Sequence, residues 1–294
     1  MKESLSRLVV GVAVVVVIVI AATWIAGADL VNPVNRDISI GRPPLDLQAS
    51  NITFASGSGA LIHGWLSPGK PGQGAIILLH GLRDRRDMIG RAESLRARGY
   101  YVLLFDFQAH GESRGSRITF GDVESRDVTA AIQYLHHKLP GEKVGVIGAS
   151  LGAAAFVLAD ERPAVAAVVL EQMYPTIQQA VAGRARKYLG PLGPLIAPLL
   201  MVQVQSRLEI PPNRLRPIDR MAQIGAPVLV VNGTEDSYTS IDDARALLAA
   251  SSEPKELWAV EGAGHVDLHA FAKAQYEKRV GDFLARYMGP PLIK

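Results

Sequence analysis

The stretch 143-KVGVIGASLGAAAFVLAD-160 contains three patterns in succession. Lys143 to Gly148 is a short run carrying Val and Ile, the mark of a buried strand. Gly148-Ala149-Ser150-Leu151-Gly152 reads as a tight turn, and Ala153 to Asp160 as a helix of small residues. A strand, a G-x-S-x-G turn and a helix form the context in which that five-residue pattern has mechanical meaning. The turn lifts the serine out of the sheet, and the flanking glycines let neighbouring backbone come close. The bare pattern is weak in a chain with 28 glycines; its setting gives it weight.

Similar apolar runs lie on both sides, at 60-ALIHGWL-66, 75-AIILL-79, 101-YVLLFDF-107, 164-AVAAVVL-170, 227-PVLVV-231 and 256-ELWAV-260. Segments with helical spacing separate them, at 88-MIGRAESLRARG-99, 122-DVESRDVTAAIQYLHHKL-139, 241-IDDARALLAA-250 and 268-LHAFAKAQYEKRVGDFLARYM-288. This alternation implies an α/β fold on a mainly parallel sheet with helices on both faces. In such sheets ligands bind beyond the carboxyl ends of the strands, so the polar residues just after each run bear on function. One interval breaks the rhythm: residues 171–226 are far more than one crossover helix needs. It contains 189-LGPLGPLIAPLLMV-202, whose prolines are expected to interrupt any long helix. Two readings stand for about 172–222, an inserted helical cap over the strand ends or two ordinary packed helices.

A serine hydroxyl is a poor nucleophile at neutral pH, so Ser150 needs a base and a group that orients the base. His136 and His137 sit in a polar helical pattern and read as solvated; His63 lies inside a strand and His110 in a turn. His265 follows the strand 256-ELWAV-260 through the glycine-containing loop 261-EGAG-264, which puts an imidazole at a strand end. His269 is its rival, already within the last helical pattern. The strand 227-PVLVV-231 runs into 232-NGTEDSYTS-240, which offers Asp236 as the acid, with Glu235 read as facing solvent and Glu171 held in reserve. The order Ser150, Asp236, His265 is the chain order of one type of serine hydrolase. Donors for the developing oxyanion are expected from the backbone N–H groups of Leu151, directly after the serine, and of Leu82, in the loop after 75-AIILL-79.

Composition removes several alternatives. With no cysteine there is no disulfide scaffold, Cys-ligated zinc or cysteine nucleophile. A net charge of +3 with no long basic run lacks the footprint of a nucleic-acid binder. Gly64, Gly69 and Lys70 imitate a phosphate-binding loop, but Pro71 stands where a Ser or Thr would hold magnesium and a strand follows where a helix is required. No metal-binding motif is present, and the chemistry above needs no cofactor. The cluster 83-RDRRD-87 has two readings, a contact for an anionic substrate or a solvated helix start.

The first residues differ from all that follow. From Leu8 to Ala28 no residue is charged, and at about 1.5 Å per residue a helix of that length crosses a hydrocarbon core. Lys2 and Arg7 precede the run and Asp29 follows it, so the N-terminus is expected in the cytoplasm and the remainder outside it. The alternative is a signal peptide cut near Ala26-Gly27-Ala28, leaving a secreted protein; the apolar length favours a retained anchor. The expected organisation is an anchor or uncleaved signal over 1–28, a linker over 29–44 and one domain over 45–290.

His80-Gly81, 106-DFQAHGES-113, 148-GASLG-152, 233-GTED-236 and 262-GAGH-265 together resemble the α/β-hydrolase fold serine hydrolases, and more narrowly the bacterial BEM46-like and serine aminopeptidase-like group, over about Leu45 to Met288. The resemblance implies an eight-stranded, mainly parallel sheet flanked by helices. It implies a small-molecule ester or thioester as substrate, with a peptide as the alternative and a non-catalytic, membrane-tethered binding protein as the reading from another class. Anchor and apolar cap together suggest lipid-like acyl groups. Relatives usually read D-x-R-G-H-G-x-S; here Gln108-Ala109 replaces Arg-Gly, a change expected to alter a turn beside the site and leave Ser150, Asp236 and His265 in place.

Overall fold

A computed structural model describes residues 2–34 and 43–289. The chain opens with α1 (Lys2–Val31), followed by β1 (Ser50–Ala55), β2 (Leu61–Ser67), β3 (Ala75–Leu79), α2 (Ile89–Ala97) and β4 (Tyr101–Phe105). Next come α3 (Glu124–Lys138), β5 (Val144–Ala149), α4 (Leu151–Leu158), β6 (Ala167–Glu171), α5 (Ile177–Leu189) and α6 (Gly193–Leu208). The chain closes with β7 (Val228–Gly233), α7 (Ile241–Ala250), β8 (Lys255–Val260), α8 (Leu268–Phe271) and α9 (Lys273–Met288).

The eight strands form one sheet in the order β1-β2-β4-β3-β5-β6-β7-β8. β2 runs antiparallel to both β1 and β4, and the other pairings are parallel. Alternation along β3 separates two cores. Ile77 and Leu79 pack with α3, α4 and α7 on one face, while Ile76 and Leu78 pack with α2 and α9 on the other. The carboxyl ends of β3, β5, β6, β7 and β8 therefore share one edge, from which the loops bearing Leu82, Ser150, Gln172, Asp236 and His265 emerge.

Two sequence expectations are corrected. β1 is absent from the apolar runs because only Phe54 of its six residues is buried. The prolines of 189–202 do not prevent a long helix: Pro194 sits in the first turn of α6, where the missing N–H has no intrahelical partner to lose. Pro198 forfeits one bond within it, and the helix still runs to Leu208.

The helix expected at 8–28 is present in α1, which continues to Val31 into the expected linker; linker residues 35–42 lie outside the described residues, as do some side chains of α1. Over the described residues, no helix is long and apolar enough to cross a membrane. The end of α1 packs on α6: Gln203 Nε2 donates to Thr23 Oγ1 at 2.9 Å and Arg207 Nη2 to the Trp24 carbonyl at 2.9 Å.

Candidate active site

β5 ends at Ala149 and α4 begins at Leu151, so Ser150 makes the whole turn between them, at φ 50 and ψ −107. A non-glycine residue in this region is strained, and the surroundings must hold it there. The Ser150 amide donates to the Glu171 carbonyl of β6 at 2.8 Å. A Cβ on Gly152 would stand 2.4 Å from the Leu79 carbonyl oxygen, and one on Gly148 2.7 Å from the Ala153 amide nitrogen. Both glycines of the motif thus answer to the close approach of backbone that the turn creates.

His265 Nδ1 lies 2.7 Å from Asp236 Oδ2, joining the loop after β8 to the loop after β7. Asp236 also accepts from Gln172 Nε2 at 3.0 Å, from Thr239 Oγ1 at 2.8 Å, and from the amides of Tyr238 and Thr239 at 2.8 and 2.9 Å. Burial alone would raise its pKa; the hydrogen bond and charge of His265, with the Thr239 donors, hold it below the ordinary aspartate value. Gln172, Tyr238 and Thr239 escape sequence reasoning, because Gln172 reaches Asp236 only through the neighbouring placement of β6 and β7. Their one local signal is the run of polar residues after β7.

Leu82 and Leu151 both reach the same cavity, and neither amide donates to a protein acceptor among the described residues. The amide of Leu151 is one of the unsatisfied donors of the first turn of α4. The Leu82 loop is set by His80, whose Nδ1 contacts the Gly81 carbonyl at 2.8 Å and whose Nε2 accepts from the Phe107 amide at 3.1 Å. Burial, with help from His110, lowers the His80 pKa to about 3, which keeps the ring neutral. Beside it, Arg85 pairs with Asp106 and Glu112 and lies over the Trp65 ring. Gln108 donates to Glu124 Oε1 at 2.6 Å, and Ala109 adopts φ 61.

Ser150, His265, Leu82 and Leu151 line one cavity of about 580 Å³. Among the described residues no hydrogen bond joins Ser150 to His265, a bond often long or misaligned before substrate binds. Its walls also bring Arg83, Asp87, Arg91, Glu171, Arg184 and Asp267. Glu171, the reserve acid, is engaged elsewhere: Arg91 Nη2 lies 2.7 Å from its Oε2 and the Tyr276 hydroxyl donates to Oε1. His269 is buried on α8 with Nε2 3.2 Å from Glu277, outside the cavity. His136, His137 and Glu235 are exposed. Among the described residues no group of three His, Asp or Glu side chains is disposed to hold a metal.

A family model described as the alpha/beta hydrolase family matches residues 76–278. An uncharacterized protein of Mycobacterium tuberculosis is 30% identical over 225 residues, covering 74% of this chain and 72% of that one. Alpha/beta hydrolase domain-containing protein 17B of Homo sapiens is 25% identical over 189 residues, 63% of this chain and 56% of that one. Among solved structures, an esterase of Pyrococcus furiosus superposes with a TM-score of 0.72 at 25% identity, over 88% of this chain and 99% of that one.

Proposed function

The chain belongs to the alpha/beta hydrolase family, and from that premise we propose that it is a serine hydrolase of carboxylic esters or thioesters. One observation carries this reading: Ser150, held at φ 50 between β5 and α4, shares a cavity with His265, whose Nδ1 is 2.7 Å from Asp236. In the proposed cycle His265 Nε2 takes the Ser150 proton as Oγ attacks the carbonyl carbon, then gives it to the departing alcohol or thiol. A water deprotonated by His265 attacks the acyl-enzyme, and the carboxylic acid leaves as Ser150 regains its proton. Asp236 accepts from Nδ1–H, fixing the tautomer and supporting the imidazolium, while the Leu82 and Leu151 amides hold the oxyanion. The esterase activity named for the Pyrococcus furiosus protein supports ester over peptide cleavage. Residues 172–222 act as the cap in this reading, since Gln172, Tyr174, Ala180 and Arg184 contribute to the cavity wall. That wall carries six charged side chains, which favours a substrate with a polar part over a purely lipid-like one.

Full-length protein is expected to take a fluorophosphonate label that vanishes in Ser150→Ala. A folded wild type that takes no label would overturn the reading. The N-terminal helix serves as a membrane anchor with the hydrolase domain outside the cytoplasm, a reading supported by the uncharged run 8–28 between Lys2, Arg7 and Asp29. Retention in membranes after alkaline extraction is the expected result; recovery of a soluble chain shortened near 26–28 would mean that the segment is a cleaved signal.

A further inference from the structure

α5 rests directly on the loop that carries Asp236. Gly183 is the contact: a Cβ there would stand 2.1 Å from the Tyr238 carbonyl oxygen, so a larger residue would push the helix off the loop. The next residue, Arg184, is thereby brought to the cavity wall. Its guanidinium carbon lies 5.8 Å from the centre of the Tyr238 ring, and that ring lies 5.0 Å from the ring of His265. Guanidinium, phenol and imidazole follow one another along this side of the cavity.

Arg184 is half-buried and differs from the buried arginines nearby. Arg91 is paired with Glu171 and Asp267, and Arg85 with Asp106 and Glu112. Among the described residues Arg184 has no carboxylate within salt-bridge distance and no hydrogen bond; the groups acting on its charge are Tyr238, Tyr174 and Tyr188. Two of the three acidic side chains in the cavity, Glu171 and Asp267, are already neutralised by Arg91. Burial lowers the Arg184 pKa, with the tyrosines opposing, but a guanidinium remains charged at any working pH. A partly desolvated cation without a counter-ion gains from the arrival of an anion, and its planar fork matches a carboxylate or phosphate.

We infer that Arg184 receives an anionic group of the substrate, so that the preferred substrates are esters or thioesters carrying a carboxylate or phosphate besides the scissile bond. This rests on the serine hydrolase reading and names the substrate class within it.

The test uses full-length wild type, Arg184→Gln and Arg184→Lys. Three substrates are compared: the mono-p-nitrophenyl ester of glutaric acid, its methyl-capped neutral analogue, and an acylated glycerol phosphate. In wild type kcat/KM is expected to favour an anionic ester over the neutral one; in Arg184→Gln that ratio falls roughly tenfold or more, chiefly through KM, with Arg184→Lys in between. Which anionic ester shows the larger ratio separates carboxylate from phosphate. Glutarate and inorganic phosphate are also added to Ser150→Ala and Arg184→Gln, with thermal unfolding as the readout. At least one anion is expected to stabilise Ser150→Ala and neither to stabilise Arg184→Gln, whose melting temperature without anion is at or above that of wild type because a half-buried unpaired charge is gone. Labelled, active protein whose ratio and anion response are unmoved by Arg184→Gln overturns the inference and leaves the hydrolase reading intact. Absence of label with an Arg184-dependent anion response overturns the hydrolase reading and keeps the anion site.

Discussion

Thr239 gives Asp236 two of its five hydrogen bonds, one from the hydroxyl and one from the amide. Thr239→Val removes the hydroxyl and keeps the shape. A hydrogen bond to a charged group is worth about 1.5–3 kcal/mol, so steady-state kinetics on an ester are expected to show kcat lowered roughly tenfold with KM little changed. An unaltered kcat would mean that the remaining donors suffice. Asp127, on α3, gives a different titration. It accepts from Ser56 Oγ at 2.5 Å and the Gln108 amide at 2.9 Å, yet burial pushes its carboxyl up to about 7. Between the unfolded value of 3.8 and about 7 the folded chain holds a proton that the unfolded chain releases, so this group makes stability fall as pH rises. Asp127→Asn removes that slope. Urea unfolding at pH about 5 and about 8 is expected to show the variant losing less stability than wild type over that step, by a few kcal/mol at most. Parallel slopes for the two proteins would refute the assignment. Ser150, Asp236 and His265 were legible because each follows a strand within a few residues, and Ser150 and His265 do so beside glycine. Arg184 and Gln172 were not, since no local pattern records which strand lies beside which or where a helix comes to rest.

At the scale of elements, Arg91 ties α2 to the end of β6 through Glu171, to α9 through Tyr276 and to the turn before α8 through Asp267. Removing one member of a buried pair strands the other charge. Arg91→Met is therefore expected to cost about 3–5 kcal/mol in urea unfolding, and adding Glu171→Gln to recover part of that loss. Equal stability of the single and double variants would show that the pairing with Glu171 does not account for the loss. None of this joinery is visible in the chain, where Arg91 and Glu171 are separated by four other elements. The runs that became β3 and α7 were legible to their ends because both are bounded by abrupt changes of polarity. β1 was hidden because an edge strand with one buried side chain has no alternation to read. The sheet order was equally hidden, as β4 enters between β2 and β3.

At the scale of the whole molecule, α1 is fastened to α6, and α6 in turn packs against α5, which reaches the cavity. Arg207 is the main fastener, with its guanidinium carbon 4.3 Å from the Trp24 ring centre and a hydrogen bond to the Trp24 carbonyl. Arg207→Ala is expected to raise amide exchange in α6 by roughly tenfold while leaving the central strands unchanged, a pattern of local opening that hydrogen-exchange mass spectrometry resolves. Uniform exchange in both proteins would show that α6 is held by the core alone. At the end of α1, Val31 accepts from the Ile118 amide at 2.8 Å, and just beyond it Val34 donates to the Ala109 carbonyl at 2.8 Å and accepts from Gly111 at 3.2 Å. Val34 and Leu82 pack against the small cluster of Ala109, Ile118 and Leu151. A pull on the N-terminal helix therefore reaches the globule through α6 and through the loop after β4, which packs against the side chains of the two leucines proposed to grip the oxyanion. Under the proposed anchoring, load on that helix would arrive at α6 and beside the proposed oxyanion loops together, which gives the molecule the layout of a strain gauge.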